Sequence, residues 1–220
     1  MTIRHTFTML GEQHERLRRL LLRDESEYGA LLLCGRSKQV DPWTGEIEER
    51  AVVQQVIEMP PEAFFERTPT SMTWSTTPLF NLAKSAMRRD LAICVAHSHP
   101  GGGLYFSKFD DDADRESFEI VFGRMDTERP HFAMVMDDSD EVLVRAYGPD
   151  LKPHPVHMTR IVGDRLAMRY PGRGAGLSAP EFDRQTRVFG ARTTEDLAQL
   201  RVGIVGCGGT GGSVLSLVEK

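Results

Sequence analysis

The sequence predicts an α/β protein in which a mixed sheet is sandwiched by helices. Three observations carry this. Leu17, Leu20 and Leu21 recur at helical spacing among the charges of residues 11–23. Short apolar runs at 27–34, 50–59 and 91–96 are bounded by turn residues and fit buried strands. The whole order is helix, strand, strand, helix, strand, helix, hairpin, which suits helices packed on a sheet.

Each element has its own local reason. Asp24-Glu25-Ser26 breaks the first helical pattern, and Glu27 opens the apolar run ending at Cys34. Gly35 to Gly45 is polar, contains Asp41-Pro42, and predicts a loop or wide hairpin before the Val- and Ile-rich strand Arg50 to Met59. Pro60 to Thr76 is irregular. Thr77-Pro78 then predicts a helix start, with a Thr cap and proline in the first turn. Trp74, just ahead of it, is expected to fill core. After the strand 91–96, residues 108–124 form a polar stretch carrying Phe118, Ile120, Val121 and Phe122, as a half-buried helix would. His131 to Met136 and Glu141 to Tyr147 make a hairpin around the turn Asp137-Asp138-Ser139-Asp140.

Composition sets limits on function. The chain has 220 residues, enough for one domain and part of a second, with 40% hydrophobic and 27% charged residues. Net charge is -5, which disfavours nucleic acid as main partner because phosphate binding needs a basic face. The N-terminal MTIRHTFTML has no apolar signal core, and no apolar run is long enough to span a bilayer. Cys34, Cys94 and Cys207 are odd in number and widely spaced. They predict no disulfide framework and a reducing cytoplasm.

The chemistry concentrates between Leu91 and Asp114. His97 and His99 stand two apart at the end of a strand, so both imidazoles point the same way. Pro100 and three glycines end the strand, and Asp110 can return to it as a third ligand. Two imidazoles, a carboxylate and an open fourth position match a catalytic zinc site. A water there would be acidified toward neutrality. Ser107-x-x-Asp110 also fits a plain helix cap with an acid at its third position. Asp111, Asp112 and Asp114 are expected to be solvated first-turn acids, one of them a partner behind the ligands. His14, His131 and the pair His154 and His157 are expected to be structural or exposed.

The ordered set H-x-H-P, six residues, S-x-x-D resembles the JAMM (JAB/MPN-plus) metalloprotease family, over about residues 8–150. The resemblance implies a zinc peptidase with His97, His99 and Asp110 as Zn2+ ligands. It implies Glu27 as the general base, in a strand opening similar to the family's E-x-x-G-L-L-x-G, although Ala30 replaces one glycine. Glu25, on the same side of an earlier-starting strand, competes for that role. Ser107 would polarise the scissile carbonyl or steady the oxyanion.

Residues 151–180 are rich in Pro and Gly and predict a linker. Beyond it, Val202 to Val205 precedes a glycine-rich turn with Gly206, Gly208, Gly209 and Gly211, then a helical stretch. A helix start of this kind favours phosphate. With Arg184-Gln185 and Phe189-Gly190 upstream, residues 181–220 resemble the opening of the ThiF/MoeB adenylyltransferases, as a truncated Rossmann-like segment. That resemblance implies ATP contacts from Arg184 and the glycines, a homodimer through this part, and ATP as cofactor only if the fold is completed in a longer chain. Together the two resemblances imply cleavage after the C-terminal tail of a ubiquitin-like or sulfur-carrier protein. The alternatives are a non-catalytic adaptor that binds such a partner, and hydrolysis of a small amide or cysteine adduct on a carrier.

Overall fold

The computed structural model describes residues 3–42, 45–164 and 166–170, and in the tail 204–206, 208 and 212–213. The chain divides into two units, Met1–Pro171 and Gly172–Lys220. The first is mixed α/β. Its elements in order are β1 (Ile3–Leu10), α1 (Gly11–Leu21), β2 (Gly29–Val40), β3 (Ile47–Glu58), β4 (Phe64–Thr68), β5 (Ser71–Trp74), α2 (Thr77–Arg88), β6 (Ala92–His99), α3 (Lys108–Arg124), β7 (His131–Asp137), β8 (Val142–Tyr147), β9 (Pro153–Val162) and β10 (Leu166–Arg169).

The main sheet runs β1-β3-β2-β6-β7-β8-β9-β10, and β1 also pairs with β9, so it closes on itself. The pairs β1–β3, β1–β9 and β6–β7 are parallel, and the remaining pairs of this sheet are antiparallel. Strands β4 and β5 form a separate two-stranded sheet.

Both faces of the central strands are covered, which is why their sequences are continuous apolar runs and not alternating ones. Ala30, Leu32, Cys34, Cys94 and Ala96 pack with Leu17 and Leu21 of α1. The residues between them, Leu31, Leu33, Ile93 and Val95, pack on the opposite face with Leu79 and Ala83 of α2 and Phe118 and Val121 of α3. The parity of β6 therefore decides which helix each of its residues meets. His97 and His99 share the face of Ile93 and Val95, where α3 lies. Ser98 shares the face of Ala96, where α1 lies.

Three expectations are corrected, and one of two open readings is decided. Residues 3–10 form a strand, β1, that the sequence did not announce. Of the loop and the wide hairpin expected over 35–45, the hairpin holds: residues 35–40 continue β2 in register with β3, down to Val40 opposite Ile47. The irregular stretch before α2 contains the β4–β5 hairpin; Trp74 at its end is half-buried and packs against the core, as expected. Most consequentially, residues 153–169 are not linker. They are β9 and β10, with Val156 and Thr159 buried. Pro153 and Pro155 fit because they pair only with β8; the register with β1 begins at Val156, so neither proline must donate on the second edge. Among the described residues no helix is long and apolar enough to cross a membrane.

Candidate metal centre

The site forms where β6 ends against the start of α3. The β6 backbone delivers His97 and His99 to one face, both buried. The chain then turns through Pro100 and the glycines. Gly101 adopts a left-handed φ of 67°. Gly102 lies so close to His99 that an added Cβ would meet the histidine Cβ at 3.1 Å. Glycine at both positions lets the loop fold back this tightly at little cost.

Helix α3 begins with a capping box. Ser107 Oγ accepts from the Asp110 N–H at 3.2 Å, and Ser107 N–H donates to Asp110 Oδ2 at 2.6 Å. The cap is what points the Asp110 carboxylate at the histidines. Asp110 Oδ1 lies 3.2 Å from His97 Nε2, and Oδ2 lies 3.5 Å from His99 Nε2. The two Nε2 atoms are 3.1 Å apart. Capping and ligand geometry, which the sequence offered as competing readings of Asp110, hold together.

These separations fit a metal ion. Ligand atoms about 2.0–2.1 Å from one tetrahedral ion stand about 3.3 Å from each other. His99 Nδ1 sits 3.3 Å from the Gly103 carbonyl, an acceptor that would keep the ring proton on Nδ1 when Nε2 binds a metal. Two imidazole nitrogens and a carboxylate, all three buried and converging, make a donor set that a divalent cation would satisfy. Among the described residues it is the one group of three or more His, Cys, Asp or Glu side chains with such convergence.

Glu27 completes the site. It lies just ahead of β2 and is buried, with Oε1 4.0 Å from His99 Nε2. Burial pushes its carboxyl above the ordinary carboxylate range, against the pull of the two imidazoles. Burial acts the same way on Asp110, yet hydrogen bonds from His97 and His99 hold that carboxyl far below its usual range. His99 is correspondingly more basic than an ordinary histidine, mainly through its bond to Asp110. Glu25, the competitor, is exposed.

A buttress stands behind the ligands, and its Arg145 and Phe106 were not foreseen. Phe106 meets the His97 ring edge-on at 6.1 Å, and the Arg145 guanidinium stacks on Phe106 at 3.7 Å. Arg145 is in turn held by Asp114, at 2.7 Å, and by Asp111. Asp114 is buried, so of the three first-turn acids it is the one that serves as a partner behind the ligands and not a solvated group. Burial opposes the Arg145 charge, but these two carboxylates keep it protonated. Ser98 is a further missed residue. Its hydroxyl donates to Leu21 O at 2.8 Å and accepts from Tyr28 N at 3.0 Å, tying α1 and the Glu27 segment to β6. Its alternation between two histidines was the available signal.

Residues 12–146 match the family of prokaryotic homologs of the JAB domain. The chain belongs to this family. No curated protein matches it. The matched span holds all five predicted site residues of the JAB domain, Glu27, His97, His99, Ser107 and Asp110, and stops before β9. The predicted nucleotide site lies beyond it. Arg184, Gly209 and Gly211 fall outside the described residues. Of the others, Gly206 has a φ of 89°, and Gly208 O accepts from Gly212 N–H at 2.9 Å.

Proposed function

We propose that the JAB domain is a zinc-dependent peptidase of the JAMM type, acting on the amide bond after the C-terminal tail of a ubiquitin-like or sulfur-carrier protein. The observation that carries this is the convergence of His97, His99 and Asp110 at ligand spacing beside a buried Glu27. Bound there, Zn2+ would acidify a water and polarise the scissile carbonyl. The protein's own residues supply the rest. Glu27 takes the proton of the attacking water at its carboxylate and passes it to the leaving amine; its place beside His99 lets it reach both. Ser107 Oγ already accepts from Asp110 N–H, so its own O–H remains to donate to the charge growing on the carbonyl oxygen. Arg145, Phe106 and the Gly103 carbonyl hold the imidazoles in place.

The substrate class rests on residues 181–220. Their Arg184 and glycine pattern support the opening of a ThiF-like domain, contacting ATP and pairing two chains once completed. Trimming a carrier tail would give such a domain the free carboxylate that it activates. The buried free thiols of Cys34 and Cys94 support a reducing, cytoplasmic setting.

Elemental analysis of the purified chain tests the centre. About one zinc per chain is expected in wild type and none in His97→Ala. No metal after zinc is supplied would turn the reading to a non-catalytic adaptor for the same partner. Glu27→Gln should keep the metal and slow amide hydrolysis by about 10²–10⁴-fold. Full activity in that variant would remove Glu27 from the mechanism.

A further inference from the structure

Glu27 stands outside the sheet ladder, which starts at Gly29 opposite His97. Its position beside His99 must therefore be fixed by other means. Both of its backbone groups are held by β4. Glu27 N–H donates to Thr68 O at 2.8 Å, and Glu27 O accepts from Arg67 Nε at 2.8 Å. The same guanidinium donates through Nη2 to Asp24 Oδ1 at 2.7 Å and lies over the Tyr28 ring at 4.3 Å. Tyr28 is buried and packs on Phe64, also of β4, at 4.7 Å. One planar side chain thus bonds to the residue carrying the base, stacks on the next residue and anchors the turn three residues before it. A guanidinium can make these contacts together because its donors are fixed in one plane, leaving its faces free to stack.

We infer that Arg67 is a positioning residue for the general base: it locks the 24–28 segment so that the Glu27 carboxylate stays beside the metal ligands. The inference rests on the peptidase reading for its catalytic consequence and on the observed contacts for its geometry. Without Arg67 the Glu27 carbonyl loses its donor, and the bonds of Glu27 N–H to Thr68 and of Tyr28 to Ser98 remain to hold the base less firmly beside His99. A misplacement of about 1 Å is worth about a hundredfold in rate.

The test uses the full chain loaded with zinc, comparing wild type, Arg67→Ala and Arg67→Lys. Three quantities are read: zinc per chain, kcat and KM on a fluorogenic peptide amide ending in Gly-Gly, and hydrogen exchange at the Glu27 and Tyr28 amides. Arg67→Ala should keep its zinc and its KM, lose about tenfold to a hundredfold in kcat, and exchange faster at Glu27. Arg67→Lys should recover part of kcat, because one ammonium replaces the bond to Glu27 O or to Asp24 but cannot stack and bridge as well. Unchanged kcat in Arg67→Ala overturns the inference. So does a lost kcat with unchanged exchange at Glu27, which would place the effect elsewhere. Should Arg67→Ala fail to fold, Asp24→Asn loosens the same lock from its exposed end, and unaltered kcat and exchange there would overturn it equally. If zinc-loaded wild type hydrolyses no amide, the peptidase reading fails while exchange at Glu27 still decides whether Arg67 holds the segment.

Discussion

His131 shows what a single residue reveals only once its neighbours are known. From sequence it was a histidine at a strand start with no ligand pair nearby, and structural it is. Its Nδ1 accepts from Ile93 N–H at 3.0 Å, and its Nε2 lies 3.1 Å from an Arg36 nitrogen, so the ring stands between two donors and has no place for a second proton. Burial first, and then the Arg36 charge, push its pKa well below the ordinary value. The unfolded chain would titrate near the usual value of about 6.5. A folded pKa below the unfolded one means that the neutral ring's contribution is whole above about pH 6.5 and is lost as pH falls through that range. The urea midpoint should therefore drop between pH 7 and pH 5, and His131→Asn should flatten that dependence. An equally steep dependence in the variant would place the titrating group elsewhere. Arg36 itself was hidden from sequence reasoning, because a polar segment with Asp41-Pro42 suggests solvent. In the fold that segment lies along β3, and burial pushes the Arg36 guanidinium down to about 10. Local polarity did not record the strand next to it. The metal ligands were legible for the opposite reason: the parity of a strand and the first turn of a helix are local, and they alone bring His97, His99 and Asp110 together.

At the scale of elements, β6 is a two-sided strand with a different job on each face. The imidazoles face α3, and Ser98 between them fastens α1 and the Glu27 segment from behind. Replacing Ser98 with Ala leaves Leu21 O without the hydroxyl donor and Tyr28 N without its acceptor in a buried place. The expected loss is about 2–3 kcal/mol of stability, since a stranded buried polar group costs about 1–3 kcal/mol. Urea denaturation would measure it, and a change of a few tenths would mean that the segment finds other partners. The elements legible from sequence were those whose signals are local: the apolar run of β6, the proline in the first turn of α2 and the capping box of α3; the Thr77 cap was not, because Thr77 is already helical and Thr76 before it makes no side-chain cap bond. Strand β1 was not, because only Phe7 and Met9 carry its apolar side and His5, Thr6 and Thr8 interrupt it. Arg67 and Arg145 were missed for a related reason. Each reaches the site from an element distant in sequence, through a guanidinium whose partners no motif specifies.

At the scale of the molecule, the closed sheet sets where the domain ends. The family match stops at residue 146, and the proline-rich sequence beyond 150 suggests a tether. Yet β9 pairs with β8 on one edge and with β1 on the other, from His5 opposite Val156 to Leu10 opposite Val162. Removing it would leave the ladder edges of β1 and β8 unpaired and uncover the core around Phe7 and Val156. A chain ending at residue 150 should then aggregate or unfold without a cooperative transition, whereas one ending at residue 170 should unfold cooperatively and stay monodisperse. Thermal unfolding followed by circular dichroism, with size-exclusion chromatography, separates the two. Equal midpoints would mean that β9 is an accessory and that the boundary lies where composition alone puts it. The opposite result would mean that the strand lying after the matched span belongs to the domain that holds the metal centre, because β1 leads straight into α1, whose last turn accepts the hydroxyl of Ser98 between the two histidines.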